Sequence, residues 1–283
     1  MKLFFSDIDG TFQDLGHAIP EINKEAIAKV HESGNRFVFV TGRGLTMVEE
    51  MMAQEAIFCD VIYGNGAGIK RQGEPAKLRH PLTSTQTQQI IDYLEKQDVF
   101  YFIHTNQGVY SPNPALYTQQ FQMLEDKLIQ DLAELGKKIY TFKHAYFFEE
   151  CQVVTDWSRL LADTSLEIIK VELMEGDDQK LKHIQMYFPL TDMTIFQSYV
   201  QTLEIVHPLS VKGAAIQEYL ADFPESISYG IGDGENDRSM FEVVDVSVAV
   251  GNAPQAIQAL CDRTIGDSLT GGVGQFILQE LAD

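Results

Sequence analysis

Acidic side chains gather in two glycine-containing segments that each follow an apolar, strand-like run. Asp7 and Asp9 lie in the segment DIDGT, and Asp233 lies in the segment GDGEND. Residues i and i+2 of an extended chain point to the same side, so Asp7 and Asp9 are expected to face one site. Three carboxylates held together repel one another, and a hard divalent cation with oxygen ligands, such as Mg²⁺, relieves that repulsion. Any one of these aspartates could instead cap a helix or form a turn, but their shared position after strands favours a metal site.

Two further segments offer groups that bind phosphate. Lys212 stands just before a predicted helix, where a cation opposes the helix dipole. Taken alone, Lys212 could be a solvated surface lysine; beside a phosphate it would neutralise the phosphoryl oxygens. Thr41 and the Gly42 amide, at the start of another predicted helix, would donate hydrogen bonds to the same oxygens. The sequence contains neither GxxxxGK[ST] nor GxGxxG, so it matches neither a P-loop nor a dinucleotide-binding fingerprint.

Strand-like and helical patterns alternate along the parts of the chain that carry these segments. The strand-like runs are residues 3–5, 36–40, 60–63, 226–231 and 246–250. Strands that alternate with helices predict a parallel, doubly wound sheet. Sheets of this kind bind ligands outside the carboxyl ends of their strands, which is where Asp7, Thr41 and Asp233 are expected.

The pattern of predicted strands and helices changes between residues 82 and 207. Helical stretches, of which 116–135 is the clearest, separate the β-rich runs 99–103, 145–148, 166–171 and 202–206. We therefore predict an α/β core with a doubly wound parallel sheet, formed by residues 1–81 and 208–283. An α+β domain of residues 82–207 is expected to interrupt it.

Composition narrows the possible partners. The chain of 283 residues carries 41 acidic and 21 basic residues, a formal net charge of −20. Nucleic acids and anionic membranes need clustered Lys and Arg, so neither is expected as a partner. The three cysteines, Cys59, Cys151 and Cys261, lie far apart without metal-binding spacing, which favours a reducing cytoplasm over a disulfide framework. A cytoplasmic enzyme is the class that these features favour, and they leave its oligomeric state open.

The order of the motifs is specific. It resembles the order found in the haloacid dehalogenase superfamily of phosphohydrolases: DxDGT, then TGR, then a lone lysine before a helix, then GDGEND. The segments NGA at 65–67 and GNA at 251–253, and the long insertion between the second and third motifs, resemble its Cof-type branch. The resemblance implies a phosphatase that acts on small phosphorylated metabolites such as sugar phosphates, nucleotides or cofactor phosphates. It also implies that the insertion is a cap that closes over the core and chooses the substrate.

The resemblance assigns a role to each acidic residue of the motifs. Asp7 would be the nucleophile that forms an aspartyl-phosphate, and Asp9 the general acid and then the general base. Mg²⁺ would be held by the side chains of Asp7 and Asp233 and by the backbone carbonyl of Asp9. Asp237 would lie outside these direct ligands or bind through water.

The remaining motif residues would hold the phosphoryl group. The resemblance gives this role to Thr41, Gly42, Lys212 and Asn236. Two alternatives stay open on the same core. One is a phosphomutase or phosphotransferase, in which the leaving group and not water accepts the phosphoryl group. The other is a catalytically inactive regulator that binds Mg²⁺ and phosphate, against which the intact set Asp7, Asp9, Lys212 and Asp233 argues.

Overall fold

The computed structural model describes residues 1–14 and 16–282. They form two compact units, which we call the core unit (Met1–Arg79 with Leu209–Asp283) and the insert unit (His80–Pro208). The elements before the insert are β1 (Lys2–Ser6), α1 (Glu21–Glu32), β2 (Arg36–Val40), α2 (Leu45–Gln54), β3 (Asp60–Tyr63), β4 (Gly68–Lys70) and β5 (Lys77–Leu78). The insert contains α3 (Ser84–Lys96), β6 (Tyr101–Thr105), β7 (Gly108–Ser111), α4 (Thr118–Leu132), α5 (Glu134–Ala145), β8 (Gln152–Val153), α6 (Trp157–Leu161), β9 (Ile168–Met174), α7 (Asp178–Tyr187), β10 (Thr194–Tyr199) and β11 (Thr202–Val206). The elements after it are α8 (Lys212–Leu220), β12 (Ile227–Gly232), α9 (Arg238–Phe241), β13 (Val246–Ala249), α10 (Gln255–Gln258), β14 (Arg263–Thr264) and α11 (Gly272–Ala282).

The core unit is built on one sheet with the strand order β14-β13-β12-β1-β2-β3-β4-β5. The first six strands of this order are parallel, and β4 and β5 add an antiparallel edge. β1 lies in the interior of the sheet, and Leu3, Phe4 and Phe5 are all fully buried. A strand with apolar residues on both faces is typical of a parallel sheet covered by helices on each side. The predicted α/β fold with a parallel sheet is confirmed.

Four helices of the core unit pack in two pairs. α1 contacts α11, although the two lie at opposite ends of the sequence, and α8 contacts α9. The apolar positions of α1 recur at helical spacing and include Ala26, Ile27 and Val30, all three of which are buried in the core cluster. Their burial fixes α1 against the sheet, since helices in proteins are stabilised mainly by packing of an apolar face.

The insert unit is built on a second sheet, with the order β10-β11-β9-β6-β7-β8. All its neighbouring strands are antiparallel except β7 and β8. Tyr101 and Ile103 of β6 pack in an apolar cluster with residues of α3 and α7. Phe100 and Phe102 belong to a different cluster with residues of α4 and α5. Because alternate side chains of a strand point to opposite faces, the sheet has an apolar layer on each side.

One secondary-structure prediction for the insert is wrong. The run 145–148 was expected to be β-rich, but α5 ends at Ala145 and a π-helical turn continues from Tyr146 to Glu150. Phe147 is fully buried and stacks on Phe121 of α4, with ring centroids 5.6 Å apart. Packing against α4 thus outweighs the β propensity of an aromatic run. The helix expected over 116–135 is present as α4, and α5 begins after Ala133, whose φ is 52°.

Among the described residues, no helix combines the length and the apolar character needed to cross a membrane.

Candidate active site

Three of the predicted site residues follow strands that are neighbours in the core sheet. Asp7 follows β1, Thr41 follows β2, and Asp233 follows β12. β12, β1 and β2 are adjacent and parallel, so their carboxyl ends lie at one edge of the sheet. The backbone N–H of Asp7 still donates to the carbonyl of Ile231, at 2.9 Å, which extends the ladder up to the site. This edge is where an open parallel sheet binds ligands.

Lys212 lies at the centre of the cluster. Its ammonium group is 2.6 Å from Oδ1 of Asp7 and 2.6 Å from Oδ1 of Asp237, and its side chain is fully buried. Burial alone would lower the pKa of Lys212, but Asp237 and Asp7 outweigh it and raise the pKa above the ordinary value. The lysine is therefore a fixed positive charge and not the solvated surface residue that the sequence left open.

Asp237 is held by the loop that precedes it. Its Oδ2 accepts hydrogen bonds from the backbone N–H groups of Asp233, at 3.0 Å, and Gly234, at 2.9 Å. Both of its carboxylate oxygens are therefore engaged, one by Lys212 and one by the backbone. Asp237 fixes the position of the lysine against the loop.

The carboxylates form a set that fits a divalent cation. Asp7, Asp233 and Asp237 each offer an oxygen within 4.8 Å of the others. Three carboxylates and the one ammonium of Lys212 leave a surplus of two negative charges, and all the donors are oxygens, as Mg²⁺ prefers. Among the described residues no hydrogen bond reaches Oδ2 of Asp7 or Oδ2 of Asp233, whereas Thr11 donates to the other oxygen of Asp233 at 2.6 Å.

The pKa values of two of these carboxyl groups reflect the crowding. Burial raises the pKa of Asp7 well above its ordinary value, and the neighbouring carboxylates add to the effect while Lys212 opposes it. Burial, with the charge of Asp237, raises the pKa of Asp233 to about 6. A bound cation would neutralise the surplus negative charge of these carboxyl groups and so stabilise their ionised forms.

Asp9 is paired with an arginine that the sequence analysis did not include among the site residues. Nε and Nη2 of Arg43 donate to the two carboxylate oxygens of Asp9, at 2.8 Å and 2.6 Å. The Asp9 side chain is 45% exposed and that of Arg43 18%. Such a two-point contact fixes the orientation of a carboxylate as well as its position. The TGR motif contained the signal for Arg43, but its partner is 34 residues away in the sequence.

The predicted phosphate-binding residues lie in buried or half-buried positions of the same unit. Thr41 is fully buried, and its Oγ1 accepts a hydrogen bond from the backbone N–H of Arg43 at 3.1 Å. Nδ2 of Asn236 donates to Oδ1 of Asn65 at 3.2 Å. The segment NGA gave Asn65 no predicted role at the site, and its contact with Asn236 is visible only in the structure. Side-chain contacts thus connect Asp7, Lys212 and Asp237 in one cluster, which Asp233 joins through its backbone N–H. Asp9 and Asn236 belong to two separate pairs.

The insert unit contains a second group of buried charges, which no sequence motif indicated. Nζ of Lys170 lies 2.8 Å from Glu204 and 2.9 Å from Glu172. Lys143 lies 3.0 Å from the other oxygen of Glu172. Lys170, Glu172 and Glu204 are at most 5% exposed. Two lysines and two glutamates balance in charge, so this group, unlike the core cluster, has no surplus for a cation to neutralise.

A family model supplies the observation that decides the identity. The model for haloacid dehalogenase-like hydrolases matches residues 4–277. The chain belongs to this family. The predicted membership of the haloacid dehalogenase superfamily is confirmed. The prediction that this hydrolase is an enzyme acting on phosphoric monoesters is confirmed as well.

Named relatives of this hydrolase align over nearly its whole length. Pyridoxal phosphate phosphatase YbhA of Escherichia coli is 22% identical over 282 residues, which cover 97% of each chain. The 5-amino-6-(5-phospho-D-ribitylamino)uracil phosphatase YwtE of Bacillus subtilis is 24% identical over 294 residues, which cover 100% of this chain and 99% of YwtE. Among solved structures, a haloacid dehalogenase-like hydrolase from B. subtilis superposes with a TM-score of 0.83 at 22% identity, covering 98% of this chain and 99% of that one. The fold is therefore shared across both units of the chain.

Proposed function

We propose that this hydrolase is a Mg²⁺-dependent phosphatase that cleaves small phosphorylated metabolites through an aspartyl-phosphate on Asp7. The observation that carries the proposal is the buried ammonium of Lys212, 2.6 Å from the carboxylates of both Asp7 and Asp237. A fixed positive charge beside a carboxylate at the ligand-binding edge of the sheet suits attack on an anionic phosphoryl group. Phosphoryl transfer depends mainly on positioning and charge neutralisation, which this arrangement supplies.

In the first half of the reaction, a carboxylate oxygen of Asp7 attacks phosphorus. The bond between phosphorus and the leaving alkoxide oxygen breaks. For this step Asp9 carries a proton on one oxygen, which Arg43 must release, while its other oxygen still accepts from Arg43, and Asp9 gives that proton to the alkoxide. Lys212, Thr41, the Gly42 amide and Asn236 hold the phosphoryl oxygens during transfer. The alcohol leaves neutral, and the phosphoryl group remains on Asp7 as an acyl phosphate.

In the second half, Asp9 is an ionised carboxylate and acts as a general base. It removes a proton from water, and the water oxygen attacks phosphorus. The bond from phosphorus to Asp7 breaks, which releases inorganic phosphate and restores the carboxylate of Asp7. The proton taken by Asp9 returns it to the form that the next cycle needs.

Asp7 and Asp233 are the side chains that we propose as direct ligands of Mg²⁺, together with the backbone carbonyl of Asp9. Each of the two side chains keeps an oxygen to which no described residue donates, while Asp237 uses both oxygens on Lys212 and the backbone. Asp237 is then the residue that orients Lys212. Mg²⁺, when bound, supplies positive charge that neutralises the phosphoryl oxygens.

The names of the relatives support a proposal for the substrate class. YbhA and YwtE are named for pyridoxal phosphate and for a phosphorylated ribitylaminouracil, respectively. We propose substrates of the same kind, monoesters of a small alcohol, and we place sugar phosphates, nucleotides and cofactor phosphates in the panel to be tested. That residues 82–207 choose among them stays a prediction. Ranking the panel by kcat/KM identifies the class.

The test of the proposed chemistry is hydrolysis of p-nitrophenyl phosphate by the purified chain, first stripped of metal with EDTA. We expect turnover only after Mg²⁺ is restored, with phosphate released in proportion to nitrophenol. Asp7→Asn should abolish it, because an amide is not a nucleophile toward phosphorus. Asp92→Asn, an exposed aspartate of α3, is the matched control and should keep full activity.

Three results would contradict the proposal in different ways. Activity retained in Asp7→Asn would show that Asp7 is not the nucleophile. Phosphate that appears on a second molecule, and not in solution, would indicate a phosphotransferase or mutase. An absence of turnover with every panel substrate and Mg²⁺, together with tight phosphate binding, would indicate an inactive regulator.

A further inference from the structure

The turn between β3 and β4, residues Gly64–Gly66, has no role in the mechanism described so far. Asn65 at its centre is 1% exposed and has φ 54° and ψ 29°. This left-handed conformation is uncommon for a residue with a side chain. Glycine adopts it most readily, and asparagine is among the few other residues that tolerate it. A buried polar residue held in an unusual conformation needs a reason, and its contacts with the site provide one.

The first contact of Asn65 is with the segment that carries Thr41 and Gly42. Its backbone N–H donates to the carbonyl of Thr41 at 2.8 Å. Its side-chain amide lies against the Cα of Gly42, where an added Cβ would be 2.9 Å from Nδ2 and 3.3 Å from Oδ1. Any larger residue at position 42 would push the amide away. Asn65 therefore fixes the segment that we propose donates to the phosphoryl group.

The second contact is with Asn236. Nδ2 of Asn236 donates to Oδ1 of Asn65 at 3.2 Å, across 171 residues of sequence. This bond orients the Asn236 side chain in the short 3₁₀ turn, Glu235–Asp237, that precedes α9. The same amide group of Asn65 thus touches two of the segments proposed to bind phosphate.

The third contact joins the turn to the segment that carries Lys212. Gly66 has φ 102°, and an added Cβ would overlap the carbonyl of Val211, so only glycine fits. The guanidinium of Arg79 also donates to the carbonyl of Gly66 at 2.8 Å and to that of Ala214, in α8, at 3.2 Å. The turn and the start of α8 are therefore packed together and hydrogen-bonded to one side chain.

We propose that Asn65 is a positioning residue that holds the Thr41–Gly42 segment and Asn236 in one phosphate-binding geometry, while the neighbouring Gly66 packs against the segment that carries Lys212. The proposal rests on the proposed function for the identity of those segments. Asn65 acts through its neighbours: it sets where their donors lie before a phosphate arrives. Donors fixed in advance lose less entropy on binding and stabilise developing charge better than mobile ones.

The test is Asn65→Gly, which keeps the left-handed backbone accessible and removes only the amide. Its dissociation constant for inorganic phosphate, measured by calorimetry in the presence of Mg²⁺, should rise about fivefold or more, the effect of one lost hydrogen bond. kcat on p-nitrophenyl phosphate should fall by at least the same factor, because the donors no longer match the transition state. Asp98→Gly, another polar residue at positive φ (55°) but in the insert unit, is the control and should change neither value.

A double-mutant cycle separates positioning from mere stabilisation. If Asn65 acts through Asn236, adding Asn236→Ala to Asn65→Gly should weaken phosphate binding and lower kcat by much smaller factors than Asn236→Ala does in the wild type. Fully additive effects, or wild-type phosphate affinity and kcat in Asn65→Gly at a temperature where it is folded, would overturn the proposal. If Asn65→Gly does not fold, Asn65→Ser, which is too short to reach Asn236, replaces it with the same expected losses.

The outcome can be told apart from failure of the proposed function. Phosphate binding requires no turnover, so weaker binding in Asn65→Gly would support the positioning role even if Asp7→Asn kept activity. Wild-type protein that binds no phosphate at all would overturn both proposals.

Discussion

Replacing Lys212 tests the electrostatic account of the site most directly. In Lys212→Met a side chain of similar length loses its charge while Asp7 and Asp237 stay buried. Opposite charges 2.6 Å apart attract with roughly 6 kcal/mol at an effective dielectric constant of about 20, before the cost of desolvation is subtracted. Removing one partner of a buried pair typically costs about 3–5 kcal/mol, because the remaining charge is left unpaired. We expect a loss of that size in the free energy of unfolding.

The same substitution should remove activity by a separate route. Lys212 is proposed to neutralise the transferring phosphoryl group, and loss of one such group commonly lowers kcat by roughly 100- to 1000-fold. Urea denaturation followed by circular dichroism gives the stability, and hydrolysis of p-nitrophenyl phosphate gives the rate. Lys77→Met, whose side chain is 76% exposed, is the matched control and should change stability by less than about 0.5 kcal/mol.

A compensating substitution sharpens the test. Lys212→Met combined with Asp237→Asn removes one negative charge along with the positive one, so part of the lost stability should return. Activity should not return, because the phosphoryl group still lacks its cation. The reasoning is refuted if Lys212→Met is as stable as the wild type, or if the double variant is less stable than the single one.

Two further predictions concern the pair of Arg43 with Asp9 and the buried charges of the insert unit. Arg43→Ala should lower kcat/KM for alkyl phosphates about tenfold more than for p-nitrophenyl phosphate, because a poor leaving group depends more on an oriented Asp9; equal losses on both would exclude this role. In the insert, burial alone would raise the pKa of Glu172, but Lys143 and Lys170 outweigh it and hold the pKa well below the ordinary value of 4.5. Its contribution to stability is therefore complete above about pH 4.5 and is lost as the pH falls through the lower pKa of the folded state. Glu172→Gln should reduce the acid slope of the unfolding free energy by up to about 1.4 kcal/mol per pH unit, and an unchanged slope would contradict the assignment.

The parts of the site that depend on strand ends were accessible from the sequence. Asp7, Thr41 and Asp233 each follow an apolar run, and parallel strands bring their carboxyl ends to one edge. The family resemblance implies direct roles for Asp9 and Asn236, and these roles stay predictions. It could not supply the geometry, because no local pattern shows which side chains meet.

Three of the pairs that sequence reasoning missed are between residues distant in the chain. Arg43 with Asp9, Asn65 with Asn236, and Lys170 with Glu204 are separated by 34, 171 and 34 residues. The wrong prediction at 145–148 has a related cause, since the helical turn there is determined by packing of Phe147 on α4. Local propensity and periodicity carry no information about such contacts, so only the folded chain reveals them.

The net charge of −20 bears on how this hydrolase binds an anion. A phosphate ester approaching the chain is repelled at long range, and the cluster of Asp7, Asp233 and Asp237 against Lys212 adds its own negative surplus. Salt at about 0.1 M screens exposed charges beyond roughly 10 Å, whereas contacts inside a buried site are screened much less. Binding energy must therefore come from groups within hydrogen-bonding distance of the phosphate. Such groups help only where they are already in place, which is why a residue such as Asn65, without charge and without contact to substrate, is expected to matter for affinity.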